Sequence, residues 1–202
     1  FPDLLKTLKV NPVFKKGDSS FISNYRPISL IPIFSKIFER VIYNRLYGYF
    51  TSNNLLYKKQ FGFQKNCSTE HAILELADQI TKSFEKNNFM LGVFIDLSKA
   101  FDTVNHEILL TKLNHYGVKG KTLDWIQSYL KHRKQFVIFK DTGFIEVICG
   151  VPQGSILGPL LFLIYVNDMF MASQATSTIM FADDTNFFLN NSKIKPMFEQ
   201  MK

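Results

Sequence analysis

Residues 177–189 read Ser177-Thr178-Ile179-Met180-Phe181-Ala182-Asp183-Asp184-Thr185-Asn186-Phe187-Phe188-Leu189. Two apolar runs flank a pair of carboxylates, the pattern of strand, tight turn, strand. Aspartate tolerates turn geometry because its short side chain bonds its own backbone. Adjacent like charges repel, however, and Asn-Gly or Asp-Gly makes a more relaxed hairpin. Paired carboxylates at a hairpin tip suit a divalent cation, which takes hard oxygen ligands and removes the repulsion. Alone, such a turn reads first as a solvated one. Its company along the chain gives it chemistry.

The chain has 202 residues, 46% hydrophobic and 15% aromatic, which makes it globular rather than disordered. That length supports one sizeable core or two small lobes. A formal charge of +7 favours a polyanionic partner, nucleic acid first. Cys67 and Cys149 are far apart and neither lies in a C-x-x-C, which excludes a disulfide framework or cysteine-zinc site and fits a reducing compartment. No histidine belongs to an H-E-x-x-H; His106-Glu107 is followed by Ile108, Leu109 and Leu110. The longest apolar run, 159–166, is too short to span a bilayer, and no signal peptide is visible, so no membrane partner is expected. A start at Phe1 rather than Met reads as a piece of something longer.

Outward from the hairpin, the pattern predicts strands at 7–14 and about 24–30, joined by the basic turn Lys15-Lys16-Gly17-Asp18-Ser19-Ser20. Pro27 holds Arg26 extended. A helix over 32–50 presents Ile33, Phe34, Ile37, Phe38, Val41, Ile42 and Leu46 as a wide apolar face. Ser68 or Thr69 caps the next helix, with Glu70 favourable in its first turn and Ile73, Leu76, Ile80 and Phe84 as its buried stripe. The apolar run 89–97 predicts a central strand buried on both faces. Asp96 near its end would then be costly to bury unless paired or metal-bound. A turn from Lys99 leads into a helix capped by Asp102 or Thr103 and stopped by Gly117. Another helix follows at 121–132. Strands at 135–139 and 144–148 flank Asp141-Thr142-Gly143. Ser155 caps a helix from Ile156 to about Met171, and a last helix starts at Ser192.

If Asp96 and the Asp183-Asp184 pair share one sheet, three carboxylates converge. They would suit two divalent cations about 4 Å apart, clamping the attacking and leaving oxygens of a phosphoryl transfer. Three stretches carry a resemblance: Val93-Phe94-Ile95-Asp96-Leu97-Ser98-Lys99-Ala100-Phe101-Asp102, Gly150-Val151-Pro152-Gln153-Gly154-Ser155-Ile156-Leu157-Gly158-Pro159, and Phe181-Ala182-Asp183-Asp184. They resemble the three palm motifs of reverse transcriptases. Lys15-Lys16-Gly17-Asp18 and Asn24-Tyr25-Arg26-Pro27-Ile28-Ser29 resemble the fingers motifs of the non-LTR retrotransposon branch, close to jockey and chicken-repeat elements. Gln60-Phe61-Gly62-Phe63 is a further match, so the resemblance covers nearly the whole chain.

The resemblance implies an α+β fold: the fingers (about 1–88) and palm (about 89–202) of a right-hand polymerase, an antiparallel palm sheet packed by helices, and the thumb missing. It implies a partial reverse transcriptase domain, acting as an RNA-directed DNA polymerase in retrotransposition. Its partners would be an RNA template, a DNA primer and deoxynucleoside triphosphates. Its cofactor would be Mg²⁺, two ions, with Mn²⁺ as a substitute, and its place the nucleus after synthesis in the cytoplasm. Asp96, Asp183 and Asp184 match the metal ligands, joined by the carbonyl of Leu97. Phe101 matches the gate that excludes a ribose 2′-hydroxyl, and Ala100 beside it lies at the nucleotide. Gln153 and Gly154 match the loop touching nucleotide and template. Arg26 matches the fingers arginine on the triphosphate, a planar fork donor. Lys15 or Lys16 would add a point charge there. Phe181 stands where many of these enzymes have Tyr. Without a thumb, grip on template and primer would be weak. The rival reading is an inactive relic or domesticated fragment that binds nucleic acid only.

Overall fold

The computed structural model describes residues 1–138 and 143–200. The chain folds as two compact units: Phe1–Leu55 with Phe101–Tyr165, and Leu56–Ala100 with Val166–Lys202. Together they form an α+β fold of mixed and antiparallel sheets packed by helices.

In the first unit, β1 (Thr7–Phe14) pairs antiparallel with β2 (Tyr25–Leu30), Val13 opposite Arg26 and Val10 opposite Ser29. The expected strand pair and its basic loop are present. On its other side β1 pairs in parallel with β4 (Arg133–Phe136), which pairs antiparallel with β5 (Ile145–Val147). The sheet order is β2-β1-β4-β5. The turn expected at Asp141-Thr142 lies outside the described residues.

Helix α1 (Ile33–Ser52) starts after Pro32 as predicted, and Leu46 of the expected stripe is buried, but the first half of the helix turns another face inward. Ser35, Glu39, Leu46, Tyr47 and Phe50 are buried, while Ile33, Phe34, Ile37, Phe38 and Val41 are exposed. The reason is Glu39. Its carboxylate accepts hydrogen bonds from the Tyr129 hydroxyl (3.1 Å) and the Ile156 N–H (2.7 Å), so the helix turns this edge to the core. Apolar periodicity alone does not see such a partner.

Helix α3 (His106–His115) is capped by neither Asp102 nor Thr103. The chain stays in turns until Asn105, whose side chain accepts from the N–H groups of Glu107 and Ile108. Gly117 ends the helix as expected, at φ +90°, with its Cβ position 2.5 Å from the Tyr49 hydroxyl. After α4 (Gly120–Leu130) comes α5 (Gly158–Val166), buried from Leu160 to Ile164 and apolar all round, as an enclosed helix must be. The Ser155 hydroxyl accepts from the Gly158 N–H, the expected cap. The helix is shorter than predicted and gives way to a 3₁₀ turn at Met169–Ala172. Asn167 breaks it, spending its side-chain oxygen on the Tyr57 N–H instead.

The second unit holds the antiparallel sheet β3-β7-β6, made of β3 (Phe89–Asp96), β7 (Asp184–Asn191) and β6 (Ser177–Phe181). With it go α2 (Thr69–Glu85) and α6 (Ile194–Gln200). Ser68 caps α2 through a reciprocal box with His71. Two expectations fail here. β3 is an edge strand among the described residues, with Phe94 and Ile95 exposed, rather than a strand buried on both faces. Ile73, Ile80 and Phe84 of α2 are exposed and only Ser83 of that helix is buried. The enclosed strand is β7, with Phe187, Phe188 and Leu189 buried between its two neighbours. The apolar runs of α2 and β3 mark surface rather than core. Among the described residues no helix is long and apolar enough to cross a membrane.

Candidate active site

The β6–β7 hairpin pairs Phe181 with Asp184, so its two-residue loop is Ala182-Asp183 and not the two aspartates. Asp184 is the first residue of β7. Directly opposite it stands Asp96, the last residue of β3. The side-by-side arrangement that the sequence left conditional is therefore present: Asp96 and Asp184 are cross-strand partners, and Asp183 sits beside them at the tip.

Like charges placed directly opposite destabilise a sheet. The Asp184 carboxyl is pushed above the ordinary carboxylate range, first by burial and then by the negative charges of Asp183 and Asp96. A groove of about 440 Å³ opens beside the pair, lined by Asp96 and Asp184 with Phe94, Ile95, Phe181 and Asn186 among others. Among the described residues, no three His, Cys, Asp or Glu side chains are drawn together as they would be around a bound metal ion. The aspartates are neighbours across two strands, not a closed cage. Their donor set, all carboxylate oxygen under mutual repulsion, fits a hard divalent cation in its chemistry.

Leu97 follows Asp96, half-buried, and Ala100 is buried after a turn in which Lys99 has φ +53°. The other candidates lie in the first unit, in two groups. Lys15, Lys16 and Arg26 are exposed at one end of the β1–β2 pair, where the Lys15 N–H donates to the Asn24 carbonyl. The second group is the loop 150–154, sewn to 101–106. Val151 N–H donates to the Phe101 carbonyl, Gly150 N–H to Val104, and His106 Nε2 lies 2.7 Å from the Gly150 oxygen. The Gln153 amide donates to Asp102 Oδ1 at 3.0 Å. Gly154, at φ +100°, has its Cβ position 2.9 Å from the Ser29 carbonyl, and Ser29 N–H donates to Gln153. This loop thus rests on β2, about 10 Å along the strand from Arg26. The Phe101 ring stacks on Phe162, centroids 4.7 Å apart.

Sequence reasoning missed two roles. Asp102 reads as a helix cap but orients the Gln153 amide, a pairing 51 residues apart that no local pattern announces. Gln60 and Gly62 read as a motif without a task, yet both lie against the hairpin tip. The motif match itself was the only signal available.

Residues 13–201 match the family described as reverse transcriptase (RNA-dependent DNA polymerase), and the chain belongs to that family. Among its relatives is the probable RNA-directed DNA polymerase from transposon BS of Drosophila melanogaster, 35% identical over 178 residues, which are 84% of this chain and 19% of that protein. Another is the RNA-directed DNA polymerase from mobile element jockey of the same species, 29% identical over 204 residues, 96% of this chain and 22% of that protein. The non-LTR branch expected from the motifs is the one these relatives occupy. The chain spans about a fifth of the length of these relatives. In fold it is similar to a telomerase from Candida albicans solved with a fragment of telomeric RNA, with a TM-score of 0.70 at 12% identity over all of this chain and 39% of that one.

Proposed function

We propose that this chain is the fingers and palm of a right-hand polymerase, adding deoxynucleotides to a primer 3′-hydroxyl on an RNA template during retrotransposition in the nucleus. The observation that carries the reading is Asp184 directly across from Asp96 with Asp183 at the adjoining tip. Asp96, Asp183 and Asp184, with the Leu97 carbonyl, would hold two Mg²⁺. When bound, these ions would supply the Lewis acidity and counter-charge that in-line nucleotidyl transfer needs, Mn²⁺ substituting. The chain's own residues bind and orient. Arg26 and Lys15 or Lys16, exposed and basic, take the triphosphate. Gln153, its amide fixed by Asp102, and Gly154, with no side chain in the way, lie along the nucleotide and template. The test is primer extension on an RNA template with deoxynucleotides and Mg²⁺, by this chain and by the same chain extended through a thumb. Template binding without extension by either length favours the relic reading.

The Phe101 ring is held by stacking on Phe162, which suits a fixed steric gate. Phe101→Ala is expected to raise the use of ribonucleotides relative to deoxynucleotides by at least about 10-fold in kcat/KM. Unchanged sugar selectivity removes the gate role.

The Asp184 shift makes a prediction about pH. Its folded-state pKa is raised, so the cost of the ionised cluster is absent at low pH and grows as pH rises through that value. A bound cation relieves this cost. Added Mg²⁺ should therefore raise the melting temperature more at about pH 8 than at about pH 5. Equal increments at both would argue against carboxylate binding of the ion.

A further inference from the structure

We propose that Gln60 is the positioning residue of the active-site hairpin: its carboxamide, with Gly62 packed beside it, holds Ala182 in the left-handed conformation that sets the direction of Asp183 and Asp184. This rests on the polymerase reading of the aspartates.

Of the two loop residues, only Ala182 has positive φ, +56°. That is the pattern of a type II′ turn, whose first position ordinarily takes glycine. A residue with a Cβ is disfavoured there. Something outside the hairpin must hold it, and one side chain does. Gln60 Oε1 accepts from the Ala182 N–H at 2.9 Å and from the Gly62 N–H at 2.8 Å. Gln60 Nε2 donates to the Ala182 carbonyl at 3.2 Å. The side chain thus grips both polar groups of one residue, the one preceding Asp183. A carboxamide suits this double contact, since it carries an acceptor oxygen and a donor nitrogen on one planar group whatever the pH. The grip is buried, Gln60 being 4% exposed and Ala182 7%.

Gln60 is delivered by a well-anchored segment. Phe61 N–H donates to the Met180 carbonyl and Met180 N–H to the Lys59 carbonyl, both at 2.8 Å, so Gln60 is tied to Met180 of β6 by a parallel β-bridge. The Tyr57 hydroxyl donates to the Thr178 carbonyl, and its ring stacks on Phe170 at 4.2 Å. Gly62 completes the arrangement by absence. A Cβ there would lie 2.1 Å from the Ala182 nitrogen, so only glycine lets the two backbones meet. Groups that orient metal ligands from behind typically matter 10–100-fold to affinity or rate.

The test compares Gln60→Met, which keeps the shape and loses all three hydrogen bonds, with Gln60→Glu, which keeps the acceptor and loses the donor. Three quantities are measured: amide hydrogen exchange at Ala182 and Gly62 by NMR, Mn²⁺ affinity by titration, and kcat and KM of primer extension. In Gln60→Met, exchange at Ala182 should accelerate, Mn²⁺ affinity should fall about 10- to 100-fold, and kcat should fall comparably. KM for the deoxynucleotide should stay within about twofold, because no substrate contact is removed. Gln60→Glu should fall between, and it carries the comparison if Gln60→Met does not fold. Unchanged exchange at Ala182 overturns the grip. Faster exchange with unchanged Mn²⁺ affinity and kcat overturns the positioning role and leaves a structural staple. A parent chain that neither binds Mn²⁺ nor extends overturns the polymerase reading, and with it the catalytic consequence of the grip, while the exchange data still report the grip itself.

Discussion

Asp183→Asn should abolish metal-dependent primer extension while leaving the fold intact. The substitution preserves shape and removes one charge from the tip of the β6–β7 hairpin. For groups that act as a unit, loss of one member typically costs roughly ten-thousand-fold or more in rate. The fold should not suffer. Asp183 is one of the charges that push the Asp184 carboxyl upward, so removing it relieves repulsion, and the metal-free melting temperature should stay level or rise. The check is extension of a labelled primer, with circular dichroism and template binding measured on the same sample. Extension at the parent rate would sink the site assignment. Loss of extension together with loss of fold would mean that the residue is structural.

Glu39→Ala should cause a large loss of stability. Glu39 is fully buried in α1. It satisfies the Tyr129 hydroxyl and the Ile156 N–H, with a longer contact to the Leu157 N–H at 3.4 Å. It also offsets Arg133, which is 1% exposed and stacked over the Tyr129 ring at 4.5 Å. Burial lowers the Arg133 pKa, while Tyr129 and Glu39 work to raise it. Removing the carboxylate leaves the buried Tyr129 hydroxyl and the Ile156 N–H without an acceptor, at about 1–3 kcal/mol each, and takes away a negative charge that favours buried Arg133. That is a large share of the stability of an ordinary domain. Chemical denaturation should show it, with Glu39→Gln intermediate because an acceptor oxygen remains. An unchanged midpoint in Glu39→Ala would show that the carboxylate contributes nothing to the fold.

The order of elements was largely legible from local pattern. β1, β2 and the two strands of the β6–β7 hairpin stand where alternation puts them, since that signal is local, but the turn falls one residue earlier than the acidic pair suggests. Burial was read less well. The stripes of α1 and α2 and the run of β3 read as core, yet Phe34, Phe84 and Phe94 are exposed. Periodicity reports that a face is apolar, not what covers it. Within the site, the juxtaposition of Asp96 with Asp184 followed from two strand ends once pairing was assumed. The grip of Gln60 on Ala182 did not, because it joins residues 122 apart through side-chain hydrogen bonds that leave no local trace.

The exposed position of Asp96 and Asp184 has an evolutionary consequence. Facing solvent and repelling one another, these carboxylates give folding no reason to keep them. Glu39 and Gly62 are different, since their loss breaks the molecule whether or not it works as an enzyme. A copy retained only as a nucleic-acid-binding scaffold would shed the aspartates and preserve Glu39 and Gly62. Across the copies of one such element in a genome, substitutions at 96, 183 and 184 set against those at 39 and 62 would therefore separate copies selected for catalysis from copies selected only for shape.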